Sequence, residues 1–254
     1  MKVQSAERMF DILEVLSGEK EGLRLTEIGR RVGLHKSTVY RFLASMEKRG
    51  YVEKIQDKGL YRLGLKFIEL SGAHLNNLEL ATEAQPYLQR LANLSTQAVY
   101  LAVRDQEDIV YIDKVETFQS IRKYSIIGRR APSHCTALGK ALLTGLCEYH
   151  LEGLFGDKKL KAYTQNTITD VRRLIAEVEK AKKRGWTEDN EEYEEGVRCI
   201  AAPVCDYRNN VIASVSTSGP ATIITKHDAE RIAGYVMEAA AGISKRMGYC
   251  SICK

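Results

Sequence analysis

Apolar residues recur at helical spacing three times within the first fifty positions. Met9, Ile12, Leu13 and Leu16 predict a helix over residues 6–16. Ile28 and Val32 lie four apart and predict a second helix over residues 26–32, with Thr26 as its N-cap. Gly33 then supplies a turn. Val39, Phe42, Leu43 and Met46 form the stripe of a third helix, led in by His35, Lys36 and Ser37, running to Arg49 and stopped by Gly50. Beyond Gly50 the helical period is lost. Residues 51–55 and 60–63 predict two short strands around a turn at 56–59. A short helix, a glycine turn, a longer helix and a hairpin, in that order, make a winged helix-turn-helix.

The next stretch changes character. Leu65, Ile68, Leu70, Leu75 and Leu78 among polar residues predict one linker helix over residues 65–79. Such a helix serves either as a dimer contact or as an element packing within its own chain. From Leu80 onward helix and strand patterns alternate. Helices are predicted over residues 80–94, 137–146, 169–184 and 227–247, and strands over 98–103, 108–115, 121–127, 198–205 and 211–217. Strand pairs joined by short polar turns, with helices around them, predict an α+β domain with a largely antiparallel sheet. The expected organisation is a head over residues 1–64, the linker over 65–79 and a larger domain over 80–249.

Composition narrows the class. Hydrophobic residues make up 44% and charged residues 28%, which is ordinary for a soluble globular chain. No run of about 18 apolar residues suggests a membrane span. Glu7, Asp11 and Glu14 interrupt the apolar centre that a signal peptide would need, so a cytoplasmic location with reduced thiols is expected.

The net charge is +5, and residues 1–64 hold 13 Lys/Arg against 9 Asp/Glu. A basic excess there favours a polyanion. His35, Lys36, Ser37, Thr38, Tyr40 and Arg41 fall on the outer side of the third helix, with the reach to read base edges and phosphates in a major groove. Thr26 joins that set, and Lys54, Lys58 and Arg62 on the hairpin suit phosphates or a minor groove. The competing reading is a helix bundle with a hairpin used for protein contact.

Catalytic motifs are incomplete. There is no Gly-x-Gly-x-x-Gly after a strand, no Walker sequence and no His-Glu-x-x-His, and Ser133, His134 and Asp189 form a set that any chain of this length contains by chance. Cys250 and Cys253 form a C-x-x-C with no second pair at structural-zinc spacing. No enzyme activity, cofactor or metal is expected. Three segments suit a small oxygen-rich metabolite. Residues 128–140 run from a loop into a helix start that favours a carboxylate. Residues 189–192, followed by 196–204, carry amides, acids and one thiol. Residues 214–220 end a strand with alternating hydroxyls, which equally suit satisfaction by their own backbone.

The motifs together resemble one family. Ser5-Ala6-Glu7-Arg8 through Ile12-Leu13, Leu25-Thr26-Glu27-Ile28, Gly33 through Arg41 and Gly50-Tyr51-Val52 look like the DNA-binding domain of the IclR family, and the three later segments extend the likeness over nearly the whole chain. The resemblance implies a GAF-like effector-binding domain and a linker helix that takes part in dimerisation. It implies a transcriptional regulator of double-stranded operator DNA, a homodimer or tetramer, with no membrane partner. A repressor controlled by a small organic or sugar acid is the expected function; an activator of the same family or a small-acid-metabolising enzyme is the alternative. Carried over by position, the effector pocket would be lined by Ser120, Ala137, Leu138, Asp189, Cys199, Ser216 and Ser218.

Overall fold

The three apolar stripes near the N-terminus become three helices around one small core. A computed structural model describes residues 3–19, 21–70, 79–116, 127–156 and 159–249. Helix α1 is Gln4–Ser17, α2 is Leu25–Arg31 and α3 is Lys36–Lys48. Strands β2, Val52–Ile55, and β3, Leu60–Leu63, form the hairpin. Ile12, Leu16, Ile28, Val39, Leu43 and Met46 meet beneath the hairpin residues Val52 and Tyr61. Gly50 takes the left-handed backbone, φ +76°, that reverses the chain between α3 and β2.

The head departs from its sequence expectation in three places. A two-residue strand β1, Leu23–Arg24, pairs antiparallel with Leu60 and Tyr61, so the wing sheet is three-stranded in the order β1-β3-β2. That pairing also moves the start of α2. Arg24 occupies the N-cap position with no side-chain cap, and Thr26 is an exposed residue of the first turn. Sheet pairing fixes the helix entry, so Thr26 is not the cap. His35 is the N-cap of α3: its Nδ1 accepts from the Ser37 N–H at 3.4 Å and lies 2.9 Å from Ser37 Oγ.

Residues 66–70 are helical, while 71–78 and 117–126 lie outside the described residues. The outer part of the linker, with Leu75 and Leu78, and most of the expected strand 121–127 therefore lie outside them too. The chain divides into two compact units, Met1–Leu78 and Glu79–Lys254.

The second unit is built on a six-stranded sheet. Its strands are β4 Ala98–Asp105, β5 Asp108–Val115, β6 Arg130–Pro132, β7 Thr187–Asn190, β8 Val197–Cys205 and β9 Val211–Pro220. The order is β6-β5-β4-β9-β8-β7, and every neighbouring pair is antiparallel. Helices α4, Glu79–Ser95, and α8, Ala229–Arg246, cover one face. They bury Val99, Leu101, Ile200, Ala202 and Val215. Helix α5, Ala137–Leu143, packs on the other face against Ala98, Tyr100, Ala102 and Ala201.

Burial on both faces explains why β4 and β8 read as continuous apolar runs rather than alternations. Helices α6, Glu148–Phe155, and α7, Val171–Arg184, enclose a satellite core with Leu143. Helix α5 sits close to the preceding loop: a Cβ on Gly139 would overlap the Ser133 backbone. No helix among the described residues is long and apolar enough to cross a membrane.

Candidate nucleic-acid interface and ligand cavity

Helix α3 divides its residues sharply. Val39, Leu43 and Met46 are buried in the head. Lys36, Ser37, Tyr40 and Arg41 are exposed and Thr38 is half-buried. Tyr40 keeps 57% of its surface, which is unusual for an aromatic with no partner to cover it. Lys36, Arg41 and Lys58 make no ion pair among the described residues. Four other basic residues of the head are already engaged. Arg30 and Arg31 bond the Glu27 carboxylate at 2.8 and 2.9 Å, and Arg31 also reaches Glu19 at 2.7 Å. These guanidiniums hold Glu27 down to about 2. Arg62 pairs with Glu53, and Lys54 lies 5.7 Å from the Tyr61 ring centroid. Lys36 and Arg41 on α3 and Lys58 at the tip of the wing therefore stay unpaired among the described residues, while Arg30 and Arg31 serve internal contacts.

In the second unit, strand register gathers residues that are distant in sequence. Asp189 on β7 pairs with Cys199 on β8, Cys199 with Ser218 on β9, and Ser218 with Ala98 on β4. One step along, Thr187, Ala201, Ser216 and Tyr100 form a parallel row. Alternate residues of a strand share a face, so both rows look toward α5. Between this face and the start of α5 lies a cavity of about 550 Å³, lined by Ala137, Leu138, Asp189, Cys199, Ser216 and Ser218. Ser120 lies outside the described residues.

Hydroxyls divide their work by position. Thr187 donates to the Ala137 carbonyl at 2.7 Å and Ser214 to the Leu138 carbonyl at 2.9 Å, which ties α5 to the sheet. Thr217 points to the opposite face and bonds Ser95 Oγ at 3.1 Å. Ser216 and Ser218 open on the cavity, where Cys199 Sγ donates to Ser218 Oγ at 3.1 Å. Thr136 caps α5 by accepting the Gly139 N–H at 3.1 Å.

Asp189 is buried, and its Oδ1 accepts the N–H groups of Glu192 and Tyr193 at 2.7 and 3.3 Å. Burial outweighs those bonds and pushes the carboxyl up to about 7. Beside it, Lys140 of α5 is fully buried and bonds Glu192 at 2.5 Å. Burial also raises Glu192, against the pull of Lys140. The Cys135 and Cys199 thiols are pushed up by burial, so neither is a ready thiolate. His134 Nε2 meets the Lys161 carbonyl at 3.0 Å, and burial lowers its proton affinity. Among the described residues no three His, Cys, Asp or Glu side chains cluster as a metal site.

Asp189 has a measurable signature. Its raised proton affinity means that the native state favours the neutral acid. Stability from this group is full at low pH, falls as pH climbs out of the ordinary carboxylate range, and levels off above about 7. Asp189→Asn keeps an oxygen for the two N–H donors but cannot titrate. The urea midpoint of the wild type minus that of the variant is expected to decline with pH up to that point. A difference constant in pH would contradict the assignment.

The cavity also holds residues that sequence reasoning missed, Tyr100, Tyr111, Tyr163 and Tyr193, whereas Arg129 and Thr136 lie in the segment 128–140 that it singled out. Alternation along β4 and β5 offered the only signal, since it sets Tyr100 beside Ala98 and Ala102. Tyr163 and Tyr193 sit in segments without periodicity.

Comparison with known proteins agrees with both halves. The family model for the IclR helix-turn-helix domain matches residues 5–56, and that for the bacterial transcriptional regulator IclR C-terminal matches residues 72–245. The HTH-type transcriptional regulator KdgR of Escherichia coli (strain K12) is 37% identical over 247 residues, 97% of this chain and 94% of that protein. The Acetate operon repressor of Salmonella typhimurium is 31% identical over 249 residues, 97% of this chain and 91% of that protein. The crystal structure of the Thermotoga maritima IclR aligns with a TM-score of 0.84 at 32% identity, covering 97% of this chain and 99% of that one. An exposed polar recognition helix and a hydroxyl-lined cavity thus stand in a chain that belongs to the IclR family of DNA-binding transcriptional regulators.

Proposed function

We propose that the protein is a repressor whose grip on a two-fold operator is set by a small organic or sugar acid held in the cavity under α5. The observation that carries this reading is the in-register row Asp189, Cys199 and Ser218, which opens with Ser216, Ala137 and Leu138 on a concave, hydrogen-bonding space. A six-stranded antiparallel sheet with helices on both faces supports a GAF-like description of this unit. The kinship with a protein named as an operon repressor supports the sign of control.

In this reading Lys36, Ser37, Thr38, Tyr40 and Arg41 face the major groove, and Thr26, Lys54 and Lys58 hold phosphates. His35 acts chiefly by fixing the start of α3. Two heads must stand about one DNA turn apart, which calls for a dimer. Leu65 and Ile68, each 69% exposed where the head ends, supply apolar surface for that contact. The effector acts only through a preference for one arrangement of the heads over the other. The setting is the cytoplasm, where the operator and reduced thiols are found.

Arg41→Ala is expected to weaken operator binding by about 1–3 kcal/mol, as loss of a base contact does. Lys58→Ala is expected to lower affinity evenly across sequences and to flatten the salt dependence by about one phosphate contact. Fluorescence anisotropy over a salt series separates the two. An Arg41→Ala variant with unchanged affinity at every salt would sink the assignment of α3.

A further inference from the structure

We infer that Asp189 meets the ligand of the cavity as a neutral carboxylic acid, so that each anion bound brings one proton from solvent onto this residue. This rests on the reading of the cavity as the site of an acidic effector.

Asp189, Glu192 and Lys140 are buried together beside the cavity, two carboxyls for one ammonium. Lys140 Nζ goes to Glu192 at 2.5 Å, and Asp189 makes no ion pair among the described residues. The N–H groups of Glu192 and Tyr193 both come to its Oδ1. Oδ2 accepts no hydrogen bond among the described residues, and Asp189 lines the cavity. The oxygen left for a ligand therefore only accepts while Asp189 is ionised, and can donate once it is protonated.

The other neighbours add no net charge. Cys135 ahead of α5 and Cys199 on β8 face Asp189 as thiols that burial keeps neutral. Glu188 and Glu191 turn to Arg198. Around the rest of the cavity stand the phenols of Tyr100, Tyr111, Tyr163 and Tyr193, with Arg129 and Glu194 as one ion of each sign. His134 turns its Nε2 to the Lys161 carbonyl and does not line the cavity. A ligand carboxylate entering this space sets a second negative charge beside a buried one that has no counter-ion. Two carboxylates in one site hold a proton between them more tightly than either would alone. Placed on Asp189 Oδ2, that proton makes a charge-assisted hydrogen bond to the ligand. Burial already lifts the Asp189 carboxyl to about 7, so the proton is taken up readily near neutrality. Solvent gives one proton, the ligand stays an anion and no other bond changes.

The test is calorimetric titration of the full chain with D-gluconate, D-glucuronate and pyruvate from about pH 6 to about pH 9, with HEPES and Tris compared at about pH 8. For an acid that binds, the heats in the two buffers are expected to differ by the uptake of about one proton. Affinity should be level at low pH and fall about tenfold per pH unit above about 7. Asp189→Asn offers an amide N–H in place of the acid proton and cannot titrate. It should lose both the buffer difference and the pH slope, and at about pH 8 bind about tenfold tighter than the wild type. Wild-type binding with no proton taken up and no pH slope overturns the inference and leaves the effector site standing. So does uptake that persists in the variant, which would place the proton on Glu192 or His134. The wild-type series can overturn the inference by itself, whatever the folding of the variant. Absence of binding by all three acids at every pH overturns the effector-site reading and this inference with it.

Discussion

Lys140→Ala is expected to destabilise the C-terminal unit by about 3–5 kcal/mol, the usual effect of removing one partner from a buried ion pair. Lys140 keeps 1% of its side-chain surface and Glu192 9%, so water cannot stand in for the missing ammonium. Glu192 Oε2 already has no hydrogen-bond partner, and Oε1 would lose its strongest one. The variant should be least impaired at low pH, where Glu192 can take up a proton. Its deficit should grow as pH rises through the raised carboxyl value. Replacing both partners together, as in Lys140→Met with Glu192→Leu, should recover most of the loss, because no buried charge is left behind. Urea unfolding of the three variants at two pH values makes the comparison. If the single variant matches the wild type, the pair does not anchor the loop that carries Tyr193.

Leu43→Ala is expected to abolish operator binding while leaving effector binding intact. Leu43 is fully buried at the centre of α3, and truncation at such a site costs about 2–5 kcal/mol. Among the described residues the core cluster of the head has nine buried side chains over which to spread that loss. Small cores of this kind are marginal to begin with. The second unit has its own, larger core on both sides of its sheet and does not share Leu43. Differential scanning calorimetry should show an early transition displaced or missing and a late one retained. Operator affinity within twofold of wild type would contradict the expectation, since a loss of even 1.4 kcal/mol changes an equilibrium tenfold.

The sequence was most legible where a pattern repeats long enough to declare its period. Helices α3 and α7, with four apolar positions each on one face, were placed within two residues of their ends. Short elements gave no such signal. β1 has two residues and β6 three, and both exist only because a partner strand lies alongside. Missing β1 also misplaced the cap of α2. The cavity was half visible. Asp189, Cys199, Ser216, Ser218, Ala137 and Leu138 stand in local motifs, and strand register brings them to one space. The tyrosines were not visible, because a half-buried Tyr suits either face of a strand and a loop Tyr follows no period. The charge reading was too generous for a related reason: composition counts Arg30 and Arg31 as free, whereas each is already bound to Glu27.

The row that runs from Asp189 through Cys199 to Ser218 owes its geometry to backbone pairing and not to any one side chain. Its members can therefore be exchanged one at a time without moving the others, and a new ligand is a matter of point substitution. A single inserted or deleted residue within β8 has the opposite effect. It turns every residue beyond it to the other face of the sheet, where α4 and α8 lie. Lineages of this fold should thus diversify their ligands by replacement along the row, and keep their changes of length in the turns.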